Sequence, residues 1–468
     1  MLSNIEQINN VTINVSHPDK CCMFFFVSCL CTSSIMEKPN EIYKKLSTDE
    51  VIRLGGERFI QSRSSRSMSL STHAYMDSFS GLSDQQLKDV QLIEIFLLSS
   101  EKLTQQQFEK SSTLLDWCDE LSSSLGNPIQ RVVYYFSKAL RAKIDKEARR
   151  IGLFTGPTMN HVFDMEGTIM STTSTRSLIS IYQKLPFYQA GRFSGVAALM
   201  DQLSRSKRVH VIDLSIRYGI QILILMQSLA SQHGFRIKHL KVTAVGTGFE
   251  EKIKQTGDRL KSFAESMYLS FSFSIVIVED MLDFNKDLLE LDPREALGVY
   301  SAYGLYSLIA QQDRLESLMK VIKSTKPRVM VVCEVAANLN SPNFVNRLTE
   351  ALFHFGAVFD ALEECMDRED ENRGVTESMY LGEAIRSIVA TEGAERAIRH
   401  VSIDVWRKFF ARFGMREIGL GMSTLYQAKL VAGKFPCGSS CTFDMDGKSI
   451  VIGWKGTPIE CLSAWKFE

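Results

Sequence analysis

Carboxylates at the ends of apolar runs are the residues of this sequence best suited to chemistry. Asp213 ends one such run and Glu334 ends another, while Glu279 and Asp280 follow a third. In open α/β folds the carboxyl ends of the strands meet at one edge of the sheet, where ligands bind. The spacing therefore predicts a crevice ringed by acids, suited to a polar ligand or to a basic residue of a peptide. Strand-end acids also cap helices, which is the more frequent role.

A nucleotide cofactor is not expected at this crevice. The turn after Asp213 would need glycines for close approach to a phosphate, but Gly219 is its only glycine and residues 215–218 are bulky. The next strand would need an acid for a ribose, and residues 246–248 are Gly, Thr and Gly instead. We predict no cofactor, and we expect Asp213 to cap the following helix or to hydrogen-bond the turn.

The sequence also contains no motif typical of a hydrolase or of a metal site. The sequence has 8 histidines and no Gly-x-Ser-x-Gly elbow, and its 10 cysteines are scattered without paired metal spacing. We therefore predict no catalytic residue, no metal site and reduced thiols. His210 lies among apolar neighbours and is expected to be a hydrogen-bonded core histidine.

Cations near the tryptophan at position 406 could bind nucleic-acid phosphates. Arg396, Arg399 and His400 have a spacing that shares one face of a helix, and Arg407 follows. Lys plus Arg and Asp plus Glu both number 54, so net charge provides no general attraction to DNA. A solvated or salt-bridged helix face is the competing interpretation.

Amphipathic helices precede the apolar runs. Apolar residues at three- and four-residue steps predict helices from Leu82, over about 105–123, from Pro128 and over 178–206. They would form a cap inside the molecule, and any surplus apolar surface would bind a helix of a partner. The candidates for partner binding are Leu87, Val90, Leu97, Leu114, Val132 and Leu199.

Five short β-branched runs, each followed by a segment of helical length, indicate an α/β fold. Such runs are typical of strands buried on both faces of a doubly wound, mostly parallel sheet, which we place at about 209–335. Two or three antiparallel strands are expected near the chain end, including 449–456. Trp454 and Trp465 are predicted to lock these strands to the core.

The N-terminal region differs in composition. Residues 1–80 are predicted to be flexible, with a serine-rich linker at 61–73. The apolar run at 21–31 is shorter than the roughly 20 residues that a membrane helix needs, and we expect the first 35 residues to be a dispensable extension. The remainder, 81–468, is predicted to be one domain, with a helical cap at 82–206 and an α/β core with C-terminal antiparallel strands at 207–468.

The segment "VHVIDLSIRYGIQ" resembles the VHIID motif of plant GRAS proteins. The positions that carry this resemblance are Val209, His210, Val211, Ile212, Asp213 and Gln221. Residues 292–311 and 327–362 resemble the PFYRE region of that family, and 392–415 resemble its Arg-His and tryptophan block. The terminal SAW motif is matched by Trp454, Ser463, Ala464 and Trp465.

The resemblance covers the chain from about Leu82 to its end, and two helical segments resemble the leucine-rich regions of the family. The C-terminal half is most similar to the DELLA branch, but the DELLA motifs are not found, so hormone-receptor binding is not implied. Tyr306 stands where a histidine is frequent in the family.

The resemblance implies a methyltransferase-like Rossmann core under a helical cap, in a non-enzymatic regulator of plant development or signalling. It implies a nuclear protein, present also in the cytoplasm in some cases, that binds other transcription factors or GRAS proteins as homo- or heterodimers. The alternatives are direct sequence-specific DNA binding and a cryptic S-adenosylmethionine-dependent enzyme. We expect no membrane association and no small-molecule substrate.

Overall fold

The computed structural model describes residues 46–64, 81–150, 172–230 and 237–468. The predictions for residues 1–35 and for most of the linker lie outside these ranges. Within them, no helix has the length and apolar character needed to cross a membrane.

Six helices of the described ranges form the N-terminal unit. The second, at 84–104, begins with a capping box, in which the Ser83 hydroxyl accepts a hydrogen bond from Gln86 N at 3.2 Å and the Gln86 side chain accepts one from Ser83 N at 2.9 Å. The fourth helix begins at Pro128, as the sequence predicted. The helices are α1 Thr48–Ser64, α2 Asp84–Thr104, α3 Phe108–Leu121, α4 Pro128–Arg150, α5 Thr172–Lys184 and α6 Pro186–Leu203.

Helix α1 lies within the range predicted to be flexible, and for this segment that prediction is wrong. Val51 and Ile52 are 4% and 3% exposed and belong to the same apolar core as α2 and α4. The Thr48 hydroxyl donates a hydrogen bond to Asp360 Oδ1 at 2.8 Å. The apolar residues that pack here, Val51, Ile52 and Leu54, are interrupted by polar residues and glycines and do not repeat along the helix, so periodicity did not indicate it.

Replacement of Ile52 by alanine tests whether α1 belongs to the folded domain. We expect the free energy of unfolding to fall by about 2–5 kcal/mol, because the substitution leaves a cavity in a closed core. Ile60 on the same helix is 63% exposed, so Ile60→Ala is the matched control and should change stability by less than about 0.5 kcal/mol. Equal effects of the two substitutions in urea denaturation would show that α1 is not packed on the domain.

The central sheet begins with five parallel strands in the order β3-β2-β1-β4-β5, a doubly wound arrangement that confirms the predicted fold class. Strand β1 alternates between the two sides of the sheet, because Val209 and Val211 join one apolar core and Ile212 joins the opposite one. The strands are β1 Arg208–Asp213, β2 His239–Gly246, β3 Phe271–Ile277, β4 Ala296–Ala302 and β5 Val329–Val335.

In the part of the chain that the structure describes, four antiparallel strands extend the sheet beyond β5, where two or three were expected. The longest, β9, pairs with β5 on one side and with both β8 and the short β6. A strand of four residues such as β6 has too little alternation to stand out in the sequence. These strands are β6 Met415–Ile418, β7 Cys441–Asp446, β8 Ser449–Trp454 and β9 Thr457–Phe467.

Helices cover both faces of the sheet. On one face Leu199 and Leu203 of α6 lie against Gly298 of β4, where a Cβ atom would meet Leu203 Cδ1 at 2.8 Å. The other face is covered by α9 and α13. The remaining helices are α7 Ile220–Ala230, α8 Glu250–Ser266, α9 Gln312–Thr325, α10 Phe344–Cys365, α11 Glu371–Val375, α12 Glu383–Ala390, α13 Ile403–Ala411 and α14 Met422–Ala432, with a π-helical turn at Thr376–Gly382.

Candidate functional site

Asp213 fixes the turn that follows β1. Its Oδ1 accepts a hydrogen bond from Ser215 N at 2.9 Å, and its Oδ2 accepts one from Gln221 Nε2 at 2.7 Å. Complete burial raises the pKa of the Asp213 carboxyl to about 6. The predicted hydrogen bond to the turn is confirmed, and the Asp213–Gln221 pair holds the start of α7 against the strand.

The turn after β1 is packed closely against α8. Gly219 has a φ of +71°, and a Cβ there would lie 3.0 Å from Thr256 and 3.1 Å from Leu260, so a glycine is needed at this position. The Arg217 guanidinium donates a hydrogen bond to Tyr303 O at 2.9 Å, and the Thr256 hydroxyl donates one to Arg217 O at 2.8 Å. Hydrogen bonds to Tyr303 and to Thr256 of α8 therefore hold the turn in place.

The acids at the sheet edge do not form one ring. Glu334, at the end of β5, accepts a hydrogen bond from Leu305 N at 2.9 Å, and burial raises its pKa to about 7. Asp280 pairs instead with Arg314 at 2.5 Å. The carboxylates therefore serve separate local structures, which is the more frequent role for acids at strand ends.

His210 is the hydrogen-bonded core histidine that the sequence predicted. Its Nε2 lies 2.7 Å from the Thr243 hydroxyl, and its Nδ1 lies 3.4 Å from Glu295 Oε2. Burial lowers the pKa of the imidazole to about 4. The VHIID-like residues therefore build the sheet and its first turn and expose no reactive group.

Glu460 is a buried acid that the sequence analysis did not single out. It lies in β9, its Oε1 is hydrogen-bonded to the Tyr303 hydroxyl, and its Oε2 lies 3.7 Å from Cys333 Sγ. Burial raises the pKa of its carboxyl to about 8. The only signal in the sequence was one glutamate inside the apolar run that ends the chain.

Replacement of Glu460 by glutamine should alter how stability depends on pH. The folded-state pKa lies above the ordinary value of 4.5, so the stability contribution of the protonated acid is present at low pH and is lost as the pH rises towards 8. From pH 5 to pH 8 we expect wild type to lose roughly 2–4 kcal/mol more of its unfolding free energy than Glu460→Gln. Exposed Glu120→Gln is the control; parallel profiles for wild type and Glu460→Gln would contradict the expectation.

The predicted basic helix face is not formed. The chain is helical at 403–411 and not at 396–402, and Arg396 is only 4% exposed. Arg396 Nη2 and Arg399 Nη1 both donate hydrogen bonds to Asn340 Oδ1, at 3.0 and 3.1 Å. An asparagine from a distant loop therefore holds these arginines in a non-helical conformation, which sequence spacing could not indicate.

The other two members of that cluster are also engaged with the protein. The His400 ring centroid lies 4.6 Å from that of Tyr306. Tyr306 is the residue that stands where the family often has a histidine. Arg407 forms ion pairs with Asp404, Glu417 and Asp446 at 2.8–3.0 Å. The salt-bridged interpretation is confirmed for Arg407.

The predicted partner-binding residues divide into two groups. Val90 and Val132 are fully buried and Leu199 is 2% exposed, so these three belong to the protein's own cores and their assignment to a partner is wrong. Their spacing identified the inward face of each helix, which is the face that packs within the molecule. The others, Leu87, Leu97 and Leu114, are half-buried.

A different apolar surface lies on the outer side of α3. Trp117 and Leu121 are one helical turn apart and are 53% and 41% exposed, and Leu125, just after the helix, is 81% exposed. The opposite face of α3 contributes Leu115 and Cys118 to the core. The apolar spacing of this helix does not distinguish Trp117 and Leu121 from residues of the inward face. We call Trp117, Leu121 and Leu125 the α3 stripe.

The terminal tryptophans are structural, as predicted. Trp454 and Trp465 are 1% and 2% exposed. Trp454 Nε1 donates a hydrogen bond to Asp360 Oδ2 at 2.7 Å, and Trp465 Nε1 donates one to the Ser463 hydroxyl at 2.9 Å. Ala464, between Ser463 and Trp465, pairs with Val331 of β5.

The fold defines the class of protein: an open Rossmann-type sheet that is covered by helices on both faces and joined to an N-terminal helical unit. The family model described as the GRAS domain family matches residues 92–466, so the chain belongs to that family. The resemblance seen in the sequence motifs is thereby confirmed.

Similar proteins include two curated plant proteins and one solved structure. The chain is 29% identical over 391 residues to "DELLA protein GAIP" of Cucurbita maxima and 28% identical to "DELLA protein RGA" of Arabidopsis thaliana over the same length. These alignments cover 82% of this chain but only 64% and 63% of the relatives. The crystal structure of SCL7 from Oryza sativa matches with a TM-score of 0.66 and 22% identity, covering 76% of this chain and 94% of that one, which supports the fold.

Proposed function

We propose that this protein is a plant transcriptional regulator that acts in the nucleus by binding other transcription factors and catalyses no reaction. Membership of the GRAS domain family and the similarity to DELLA proteins support the regulatory role. The observation that carries the binding mechanism is the α3 stripe, which leaves three large apolar side chains in solvent.

The stripe has the character of a helix-binding surface. Exposed large apolar residues spaced one helical turn apart are a common contact for the apolar face of a partner helix, and tryptophan is enriched among the residues that dominate binding energy. Asp116 and Asp119 beside the stripe are both held by Arg141, at 2.8 and 2.6 Å. These three charged side chains form a polar rim beside the apolar stripe, an arrangement found in many protein interfaces.

The geometry gives less support to the alternatives. Arg396 and Arg399 share Asn340 and Arg407 is enclosed by three acids, so these cations are engaged within the protein rather than arranged for DNA phosphates. A cryptic enzyme gains no support from the turn after β1, because its one glycine, Gly219, is packed against Thr256 and Leu260 of α8.

Quantitative affinity capture from plant nuclear extract tests the proposal. We expect transcription factors to be recovered with the full chain and to fall more than about tenfold with Trp117→Glu, because the loss of an interface hot spot costs 2 kcal/mol or more. Tyr268 is 93% exposed and lies after α8, away from the stripe in sequence, so Tyr268→Glu is the matched control and should retain them. Equal recovery with both variants would reject the α3 stripe.

A salt titration with promoter DNA separates the two binding mechanisms. A regulator that acts through protein partners should show weak affinity for DNA by itself at physiological salt. Tight, sequence-specific binding of the purified chain that falls steeply between about 50 and 200 mM salt would instead favour direct contact with DNA phosphates.

A further inference from the structure

A cavity of about 250 Å³ lies at the carboxyl ends of β1, β4 and β5. The turns after these strands form one side of it, with Ile216 and Tyr303 among the lining residues. Helices α5, α6, α10 and α12 form the other sides. Its size is close to the lower limit of about 300 Å³ for small-molecule pockets, and its position is the one where open α/β sheets bind ligands.

One cation in the cavity wall forms no ion pair within 4 Å in the described part of the chain. Arg192 of α6 stacks on the Tyr303 ring, with 4.9 Å between the guanidinium carbon and the ring centroid. Its Nη1 has no hydrogen-bond partner in the described part of the chain, where Arg192 also forms no ion pair with a carboxylate. A buried guanidinium nitrogen without a hydrogen-bond partner is unfavourable, so an anion bound to it would be stabilised.

Glu460 is the acid that interacts with Arg192, but its oxygens are hydrogen-bonded to other side chains. Its two oxygens lie against the Tyr303 hydroxyl and Cys333 Sγ. Burial raises the pKa of its carboxyl to about 8, although the positive charge of Arg192 acts to lower it. Glu460 does not hydrogen-bond Arg192 Nη1, so this nitrogen can still bind a ligand carboxylate.

The rest of the wall is apolar or neutral. Leu178, Tyr182 and Tyr188 provide apolar and aromatic surface. Burial lowers the pKa of His354 to about 4 and that of His400 to about 3, so both rings are neutral at physiological pH. Neutral imidazoles in a wall of this kind can hydrogen-bond a hydroxyl or carbonyl group but do not attract an anion.

We infer that the cavity binds a small, largely apolar carboxylic acid, with its carboxylate on Arg192 and its hydrocarbon body against the tyrosine and leucine side chains. The sequence predicted no small-molecule substrate, and the inferred compound is a ligand that undergoes no reaction. Because α5 and α6 line the cavity together with the turns of the sheet, ligand binding would stabilise the contact between the helical unit and the α/β core. This site is separate from the α3 stripe and does not depend on the proposed function.

Biphenyl-4-carboxylate and its uncharged amide are suitable probes, because they share one shape and differ in charge. With the purified full chain, isothermal titration calorimetry should show the carboxylate binding at least about tenfold more tightly than the amide, as expected for a charge-assisted bond to arginine. No saturable binding of the carboxylate, or equal affinity for the two probes, would overturn the inference.

Two kinds of variant assign the binding to this cavity. Arg192→Gln should abolish the preference for the carboxylate, whereas Arg192→Lys should retain part of it. Ala384→Trp, on the α12 side, should fill the cavity and abolish the binding of both probes. If Arg192→Gln fails to fold, loss of binding in Ala384→Trp together with the wild-type preference supports the site. Carboxylate affinity that is unchanged in Ala384→Trp would overturn it.

Discussion

Replacement of Trp465 by alanine is expected to lower the free energy of unfolding by about 3–5 kcal/mol. Trp465 is 2% exposed, and its ring centroid lies 4.8 Å from that of Phe410 in α13. In β9 it pairs with Met330 of β5 and with Glu417 of β6, so it lies where the parallel and antiparallel parts of the sheet meet. Truncation would therefore leave a large cavity between the sheet and α13.

Trp117→Ala is the matched control for this substitution, because it removes the same side chain from the surface. Trp117 is 53% exposed, and its loss should change stability by less than about 0.5 kcal/mol. Urea denaturation followed by far-ultraviolet circular dichroism measures both variants. A midpoint for Trp465→Ala equal to that of wild type would contradict the packing described for β9.

The parallel strands could be predicted because burial on both faces produces a recognisable apolar pattern in the sequence. A strand such as β1, buried on both faces, must be apolar at nearly every position, and an acid at its end must find a backbone donor. This reasoning predicted that Asp213 hydrogen-bonds the turn after β1, and in the structure it accepts a hydrogen bond from Ser215 N. Helix α1 and strand β6 have weaker sequence patterns, because each is stabilised by a few contacts with distant segments.

The interactions that involve charged side chains could not be predicted from spacing. Arg396 and Arg399 have helical spacing, yet they lie in a non-helical segment and both hydrogen-bond Asn340 from another part of the chain. Arg192 and Glu460 come to the same region only because β9 returns antiparallel to β5. Sequence periodicity reports the inward face of each element, whereas these contacts depend on topology. The same limit explains why the α3 stripe was missed.

The second large effect is expected at a network of four buried or half-buried charges. Arg373 is 2% exposed and forms ion pairs with Glu363 at 2.6 Å and with Glu377 at 2.9 Å. Arg131 of α4 approaches the same two acids at 3.0 and 3.5 Å. The network therefore joins the N-terminal helical unit to the end of α10 and to the π-helical turn. Burial raises the pKa of Glu377 to about 7, despite the opposing effect of Arg373.

Arg373→Met should lower the free energy of unfolding by about 3–5 kcal/mol, because it leaves Glu377 buried with only the longer contact to Arg131 and leaves Met366 O without its donor. Arg368 provides the matched control, since it pairs with Glu363 at 2.5 Å but is 57% exposed; Arg368→Met should cost at most about 1 kcal/mol.

The double variant Arg373→Met/Glu377→Gln separates the loss of the ion pair from the cost of an unpaired buried charge. Since replacement of both charged partners removes that charge, the double variant should recover a large part of the stability lost in Arg373→Met. Denaturation at pH 7.5, where more of the Glu377 carboxyl is ionised, should make the difference larger than at pH 5.5. Additive losses in the double variant at both pH values would show that the two side chains are not coupled, contrary to the short contact between them.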